Sequence, residues 1–194
     1  MIAILLRQYK NIKQSEFVNG NYKLVPIRDE DKYAIMQWRN QQIDVLRQSE
    51  LLTKEKQEIY FATVVDKLFE VNEPEQLLFS FLENEKLIGY GGLVHIDWKN
   101  RTAEVSFLTQ TNRANDSIIF HDDFASYLKM IFDVGFAQLN MHKLHTTFYD
   151  IPERVEYKKV IEEQGFVLDG KQSGHVVIGN VLRDAFIYSK LKKA

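Results

Sequence analysis

The sequence predicts an α+β fold built on a single mixed, largely antiparallel sheet with helices on both faces. Three observations carry that prediction. Leu77–Leu82 (LLFSFL), Leu87–Ile96 (LIGYGGLVHI) and Thr102–Leu108 (TAEVSFL) are apolar runs of strand length separated by polar turns, the pattern of an antiparallel meander. Phe124, Leu128, Ile131, Phe132 and Gly135 then recur on one side of a long helix-period segment, which needs a sheet to cover. Finally, Met141–Phe148 (MHKLHTTF), Val160–Phe166 (VIEEQGF) and Leu182–Tyr188 (LRDAFIY) follow one another at strand, helix and strand spacing.

The remaining elements follow in chain order. Met1–Leu6 (MIAILL) is apolar but is followed at once by Arg7 and Lys10, too short for a signal-peptide core or a membrane span. It reads as an added strand or a terminal arm within residues 1–20. Tyr22–Ile27 alternates as a strand, and Asp29 is a candidate cap for a helix carrying Tyr33, Met36 and Trp38. Gln41–Ser49 reads as a connection or a short helical piece. Thr53 caps a helix through about Val71 with Ile59, Tyr60, Thr63, Val64, Lys67 and Leu68 along a stripe. Asp122 or Asp123 is the expected cap of the long helix, which runs to about Leu139. Lys143–Tyr149 is a strand, Glu153–Gln164 a helix closed by Gly165, and Phe166–Lys171 with Val181–Leu191 a final strand pair.

Composition narrows the function classes. The 194 residues are 45% hydrophobic and 12% aromatic, enough to bury a core as one domain spanning 1–194. A formal charge of −2 offers no basic field for nucleic acid. Without cysteine, disulfides, thiolate metal sites and a cysteine nucleophile are excluded, which suits a cytoplasmic setting. His121, His142, His145 and His175 lack metal-ligand spacing, and no nucleophile elbow is present. No run approaches the roughly 20 apolar residues of a spanning helix.

"LIGYGGL" into "RTAEVSF", "FDVGFAQLNMHKLH", "VIEEQGFVLDG" and "LRDAFIYSKL", in this order, resemble the GNAT superfamily of acyl-CoA-dependent N-acyltransferases from about Tyr22 to Leu191. Within it, the pattern is most similar to the branch holding ribosomal-protein N-terminal and amino-sugar-nucleotide acetyltransferases. The resemblance implies acetyl-CoA as co-substrate, with its pantetheine arm on the backbone of Phe107, Leu108 and Thr109, where the fourth and fifth predicted strands splay apart. It also implies direct attack by an acceptor amine, so that no covalent enzyme intermediate is needed.

Candidate roles follow residue by residue. Glu104, on one strand face with Thr102 and Ser106, is a candidate base, or a salt-bridged carboxylate. The resemblance places its tyrosine acid at Ile161, which cannot donate a proton. Tyr157, one turn earlier, and Tyr149 are the alternatives, each also readable as a packed ring. Arg154 stands where the family has a cofactor-contacting asparagine and could meet a phosphate. The family's glycine-rich phosphate loop, counted back from Phe136, falls on Ile119–Phe124 (IFHDDF), which has no glycine and two carboxylates. Arg113, Asn115 and Ser117 from the preceding loop are the candidates to reach the phosphates instead; the alternative is weakened or lost CoA binding. Arg39, Arg47, Gln48, His95 and Asp97 are candidate acceptor contacts. The acceptor expected first is an amino-sugar nucleotide or other small amine, then a protein N-terminus; the competing expectation is a catalytically degenerate binding module. A homodimer is one assembly this reading admits.

Overall fold

A computed structural model describes residues 7–46 and 48–193. The apolar start Met1–Leu6 and the acceptor candidate Arg47 lie outside the described residues.

The strands are β1 Phe17–Asn19, β2 Tyr22–Pro26, β3 Leu77–Glu83, β4 Lys86–Asp97, β5 Thr102–Thr109, β6 Lys143–Tyr149, β7 Val167–Ile178 and β8 Val181–Leu191. They form one mixed sheet in the order β1-β2-β3-β4-β5-β6-β8-β7. All neighbours run antiparallel except β5 and β6, which are parallel. The helices are α1 Lys32–Gln41, α2 Lys54–Tyr60, α3 Asp66–Leu68, α4 Thr111–Ala114, α5 Ser117–Phe132 and α6 Val155–Glu163. Short β1 is an extra edge strand, so the fourth and fifth predicted strands are β5 and β6.

Alternation along β5 assigns the two faces. Phe107 stacks on Phe124 of α5 with ring centroids 4.6 Å apart, while Leu108 lies opposite Tyr90, whose hydroxyl meets Arg39 of α1 at 2.7 Å. Adjacent strand residues point to opposite faces, so α5 covers one face and α1 the other. Close approach explains two glycines of β4. A Cβ at Gly91 would lie 2.2 Å from the Ser106 carbonyl oxygen and one at Gly92 1.8 Å from that of Leu77, so only glycine lets the central strands come together.

Several helix expectations need correction. The Thr53 side chain does accept from the Lys56 N–H, but the buried face below it is Gln57, Phe61, Val65 and Leu68, while Ile59 is exposed. A π turn at Phe61–Val65 joins α2 to α3, and this 57/61/65/68 spacing faces the core. Asp29 caps nothing; it pairs with Lys32 at 2.9 Å beside a 3-10 turn. The long helix starts at Ser117, because the Asp116 carboxylate accepts from the Ile118 and Ile119 N–H groups. Asp122 and Asp123 therefore sit inside the helix, and Ile119–Phe124 is helix rather than loop. Gly165 has φ +82 after α6, the left-handed closure expected there. The final hairpin is longer than predicted, with β7 reaching Ile178.

Candidate active site

The parallel β5–β6 pairing covers only Thr102–Glu104 against Lys143–His145, although both strands run on past it. Beyond Glu104 and His145 the strands part. The Gln110 N–H donates to the Ile88 carbonyl at 2.8 Å, and antiparallel alternation from that pair gives Leu108 and Ser106 their backbone bonds to β4. Phe107 and Thr109 consequently turn their backbone groups toward the gap. The Thr109 carbonyl accepts from Gln42 Nε2 at 2.9 Å.

A cavity of about 640 Å³ opens in this gap. Of the residues singled out from sequence, Arg39, His95, Glu104, Phe107, Tyr149, Arg154 and Tyr157 line it. Glu104 is only 5% exposed and lies 3.8 Å from His95 Nε2. The β4 register shifts between Val94 and Asp97, and His95 takes φ 49 there. This bulge re-aims the imidazole toward Glu104.

Tyr157 is set by packing on several sides. Its ring stacks on Phe124 at 4.5 Å and meets Phe148 at 5.2 Å, and the Arg154 guanidinium lies over it at 4.8 Å. Its hydroxyl shares a 2.6 Å hydrogen bond with the Thr146 hydroxyl. Burial is the main reason that the Arg154 pKa is pulled below its ordinary value. One terminal nitrogen of Arg154 donates to the Val45 carbonyl at 2.9 Å, and its Nε is shut off from solvent without a hydrogen-bond partner. Arg39 donates through Nε to Gln48 Oε1 at 2.9 Å, which puts Gln48 behind Arg39 rather than on the cavity wall.

Other candidates lie elsewhere. Asp97 closes the β4–β5 turn by accepting from the Asn100 N–H at 2.9 Å and from its side chain. Arg113 is turned away from the start of α5: its Nε and one terminal nitrogen clasp Asp123 at 2.7 and 2.6 Å, and its other terminal nitrogen lies 3.1 Å from Glu83. All three nitrogens are thus engaged by carboxylates. Asn115 and Ser117 are exposed beside the Asp116 cap. Leu108 lies on the α1 face of β5.

Tyr22 completes the Arg113 cluster by donating to Asp123 at 3.1 Å. Burial, and then the Asp123 charge, push its pKa from 10.0 to about 12. The folded value is the higher one, so the unfolded chain ionises first. The stability is intact below pH about 10 and is lost as pH rises through about 12. Urea titrations between pH 8 and 12 should show this decline, and Tyr22→Phe should make it shallower, while other tyrosines with raised pKa values, Tyr188 among them, keep part of it.

The sequence reading missed Thr146, Glu75 and Gln76, all on the cavity wall. Thr146 left a signal, as a hydroxyl between Leu144 and Phe148 on the buried side of β6. Glu75 and Gln76 precede β3 in an irregular stretch without periodicity, which left none.

The residues fit an acyl-CoA at its thioester end. The gap between β5 and β6 has the strand-edge donors and acceptors that an extended amide arm pairs with, and the cavity lies at its end. At the diphosphate end, two α5 amides that could face an anion already hold the Asp116 carboxylate.

The fold is an α+β sheet that parts between two parallel strands, with a carboxylate and a tyrosine on the wall of the parting. The model of the acetyltransferase (GNAT) domain matches residues 24–187, and the chain belongs to that family, whose members use acetyl-CoA as co-substrate. A search of curated proteins finds no significant match. Among solved structures, spermidine N-acetyltransferase from Vibrio cholerae in complex with CoA and spermine is 19% identical with a TM-score of 0.74, over 90% of this chain and 97% of that one. Ribosomal-protein-S5-alanine acetyltransferase from Vibrio fischeri is 17% identical with a TM-score of 0.70, over 93% and 98%. A dodecameric structure of the Vibrio cholerae spermidine enzyme is 20% identical with a TM-score of 0.70, over 90% and 95%. These likenesses bear on the fold. No helix among the described residues is long and apolar enough to cross a membrane.

Proposed function

We propose that the protein acetylates a small primary amine, using the cavity between β5 and β6 as its reaction chamber. The observation that carries this is the parting of the two strands directly beyond Glu104, with Glu104 and Tyr157 on the wall of one cavity. Acetyl-CoA supplies the activated acetyl group. Phe107 and Thr109 offer strand-edge backbone groups to its extended arm. Glu104 takes a proton from the incoming ammonium, directly or through one water, which frees the nitrogen lone pair for attack on the acetyl carbon. As the carbon–nitrogen bond forms and the carbon–sulfur bond breaks, the Tyr157 hydroxyl protonates the departing sulfur. The proton that nitrogen sheds on becoming an amide restores the hydroxyl. Thr146 holds that hydroxyl in place, and the Phe124 and Phe148 rings hold its ring.

Calorimetric titration with acetyl-CoA should give saturable binding, and a free-thiol assay over polyamines, amino-sugar nucleotides and peptide N-termini should give turnover with one acceptor class. The competing reading, a binding module that has lost catalysis, draws support from the Asp116 cap and the engaged Arg113. Absence of heat at millimolar acetyl-CoA would leave only that reading.

A further inference from the structure

Two guanidinium groups stand on the wall of the cavity, and neither has a carboxylate within ion-pair distance among the described residues. Arg39 is held by Gln48 and the Tyr90 hydroxyl. Arg154 is held by the Val45 carbonyl and the Tyr157 ring. Arg28 and Arg113, by contrast, each clasp an aspartate through two nitrogens. A desolvated guanidinium without a paired counter-ion costs free energy; the Glu153 charge acts on Arg154 from beyond ion-pair distance, and the Arg154 Nε lacks even a neutral partner. A ligand anion in the cavity would lower that cost through its charge and a bond to a terminal guanidinium nitrogen, a strong partner for an oxyanion, while the enclosed Nε stays out of its reach. A second cavity of about 230 Å³ adjoins the first, shares Arg39 with it, and is lined by Ile27, Ile35, Tyr60 and Phe61.

We propose, building on the acetyltransferase reading, that the acceptor is a zwitterion: its amine faces Glu104 while a carboxylate or phosphate is held by Arg154 with Arg39 beside it. Its apolar remainder fits the adjoining cavity. A polyamine carries no such anion and would leave both guanidinium groups without a counter-ion. Arg154 therefore selects the acceptor rather than the cofactor phosphates.

The test uses the full chain with acetyl-CoA and four amines: L-phenylalanine, 2-phenylethylamine, glucosamine 6-phosphate and spermidine. An anionic amine should exceed the amines without an anion in kcat/KM by about a hundredfold, the worth of a charge-assisted hydrogen bond. Whether the carboxylate or the phosphate amine leads identifies the anion. Arg154→Gln should raise KM about a hundredfold for that anionic amine. The fall in kcat/KM with 2-phenylethylamine, which reads the loss of the cation beside the Tyr157 ring, should be far smaller than the fall with the anionic amine, and Arg154→Lys should recover part of the loss. Turnover confined to spermidine or 2-phenylethylamine, or an equal effect of Arg154→Gln on every amine, overturns the proposal and leaves the acetyltransferase reading standing. Failure to bind acetyl-CoA removes both.

Discussion

Arg113→Ala is expected to destabilise the protein by about 3–5 kcal/mol, the cost of leaving a buried carboxylate without its counter-ion. Asp123 is fully buried, and besides its bonds from Arg113 it accepts from the Tyr22 hydroxyl at 3.1 Å. The guanidinium reaches it through two parallel bonds and also meets Glu83 on β3. Arg113 thus ties the short helix α4 to both the middle of α5 and the end of β3. Removing both members of the pair should cost less than removing one. In Arg113→Ala/Asp123→Leu no charge is left buried, and most of the loss should be regained. Urea denaturation of the single and double variants measures the cycle. A double variant as unstable as Arg113→Ala would show that the loss comes from packing rather than charge. The same double variant separates structure from ligand binding: with Arg113 committed to Asp123, its acetyl-CoA affinity should match that of the unmodified protein.

The closing strand, helix and strand were legible because each element carries its own periodicity, and Gly165 punctuates the last helix where a left-handed residue is required. The start of α5 was not legible. Asp116, Asp122 and Asp123 are all chemically able to accept orphan helix N–H groups, and the exposed Ile118 blurs the amphipathic pattern that would have separated them. What removes Asp123 from the contest is its pairing with Arg113 and with Tyr22, a hundred residues away in the chain. Such a contact leaves no local mark. The count back from Phe136 therefore landed inside the helix.

At the site, strand alternation was enough to put Glu104 on a defined face, and the resemblance pointed to the gap beside it. The partners that set the chemistry were hidden. Thr146 meets Tyr157 only because β6 and α6 pack together, and His95 turns to Glu104 only because β4 bulges. The residue type alone marks Arg154 as an oxyanion-type group, but its direction depends on Val45 in a connection with no helical or strand period.

Glu104→Gln is expected to lower kcat about a thousandfold, within the range that a positioned base contributes. Glutamine keeps the volume and one acceptor oxygen of the glutamate, so the packing around this nearly buried side chain is preserved and basicity alone is lost. The His95 imidazole 3.8 Å away then faces a neutral group. Because the acceptor nitrogen must shed a proton before it can attack, the loss should appear in kcat, while the acetyl-CoA affinity, which the proposed mechanism assigns to the β5 edge, stays unchanged. Tyr157→Phe should cost less, since a thiolate is a good leaving group that solvent can also protonate. It removes one hydroxyl and keeps the ring between Phe124 and Phe148. Steady-state thiol release with the preferred acceptor reads both variants, and thermal unfolding checks that each remains folded. A folded Glu104→Gln protein within threefold of the original kcat would mean that the proton leaves by another route, and the carboxylate would then be a structural partner of His95.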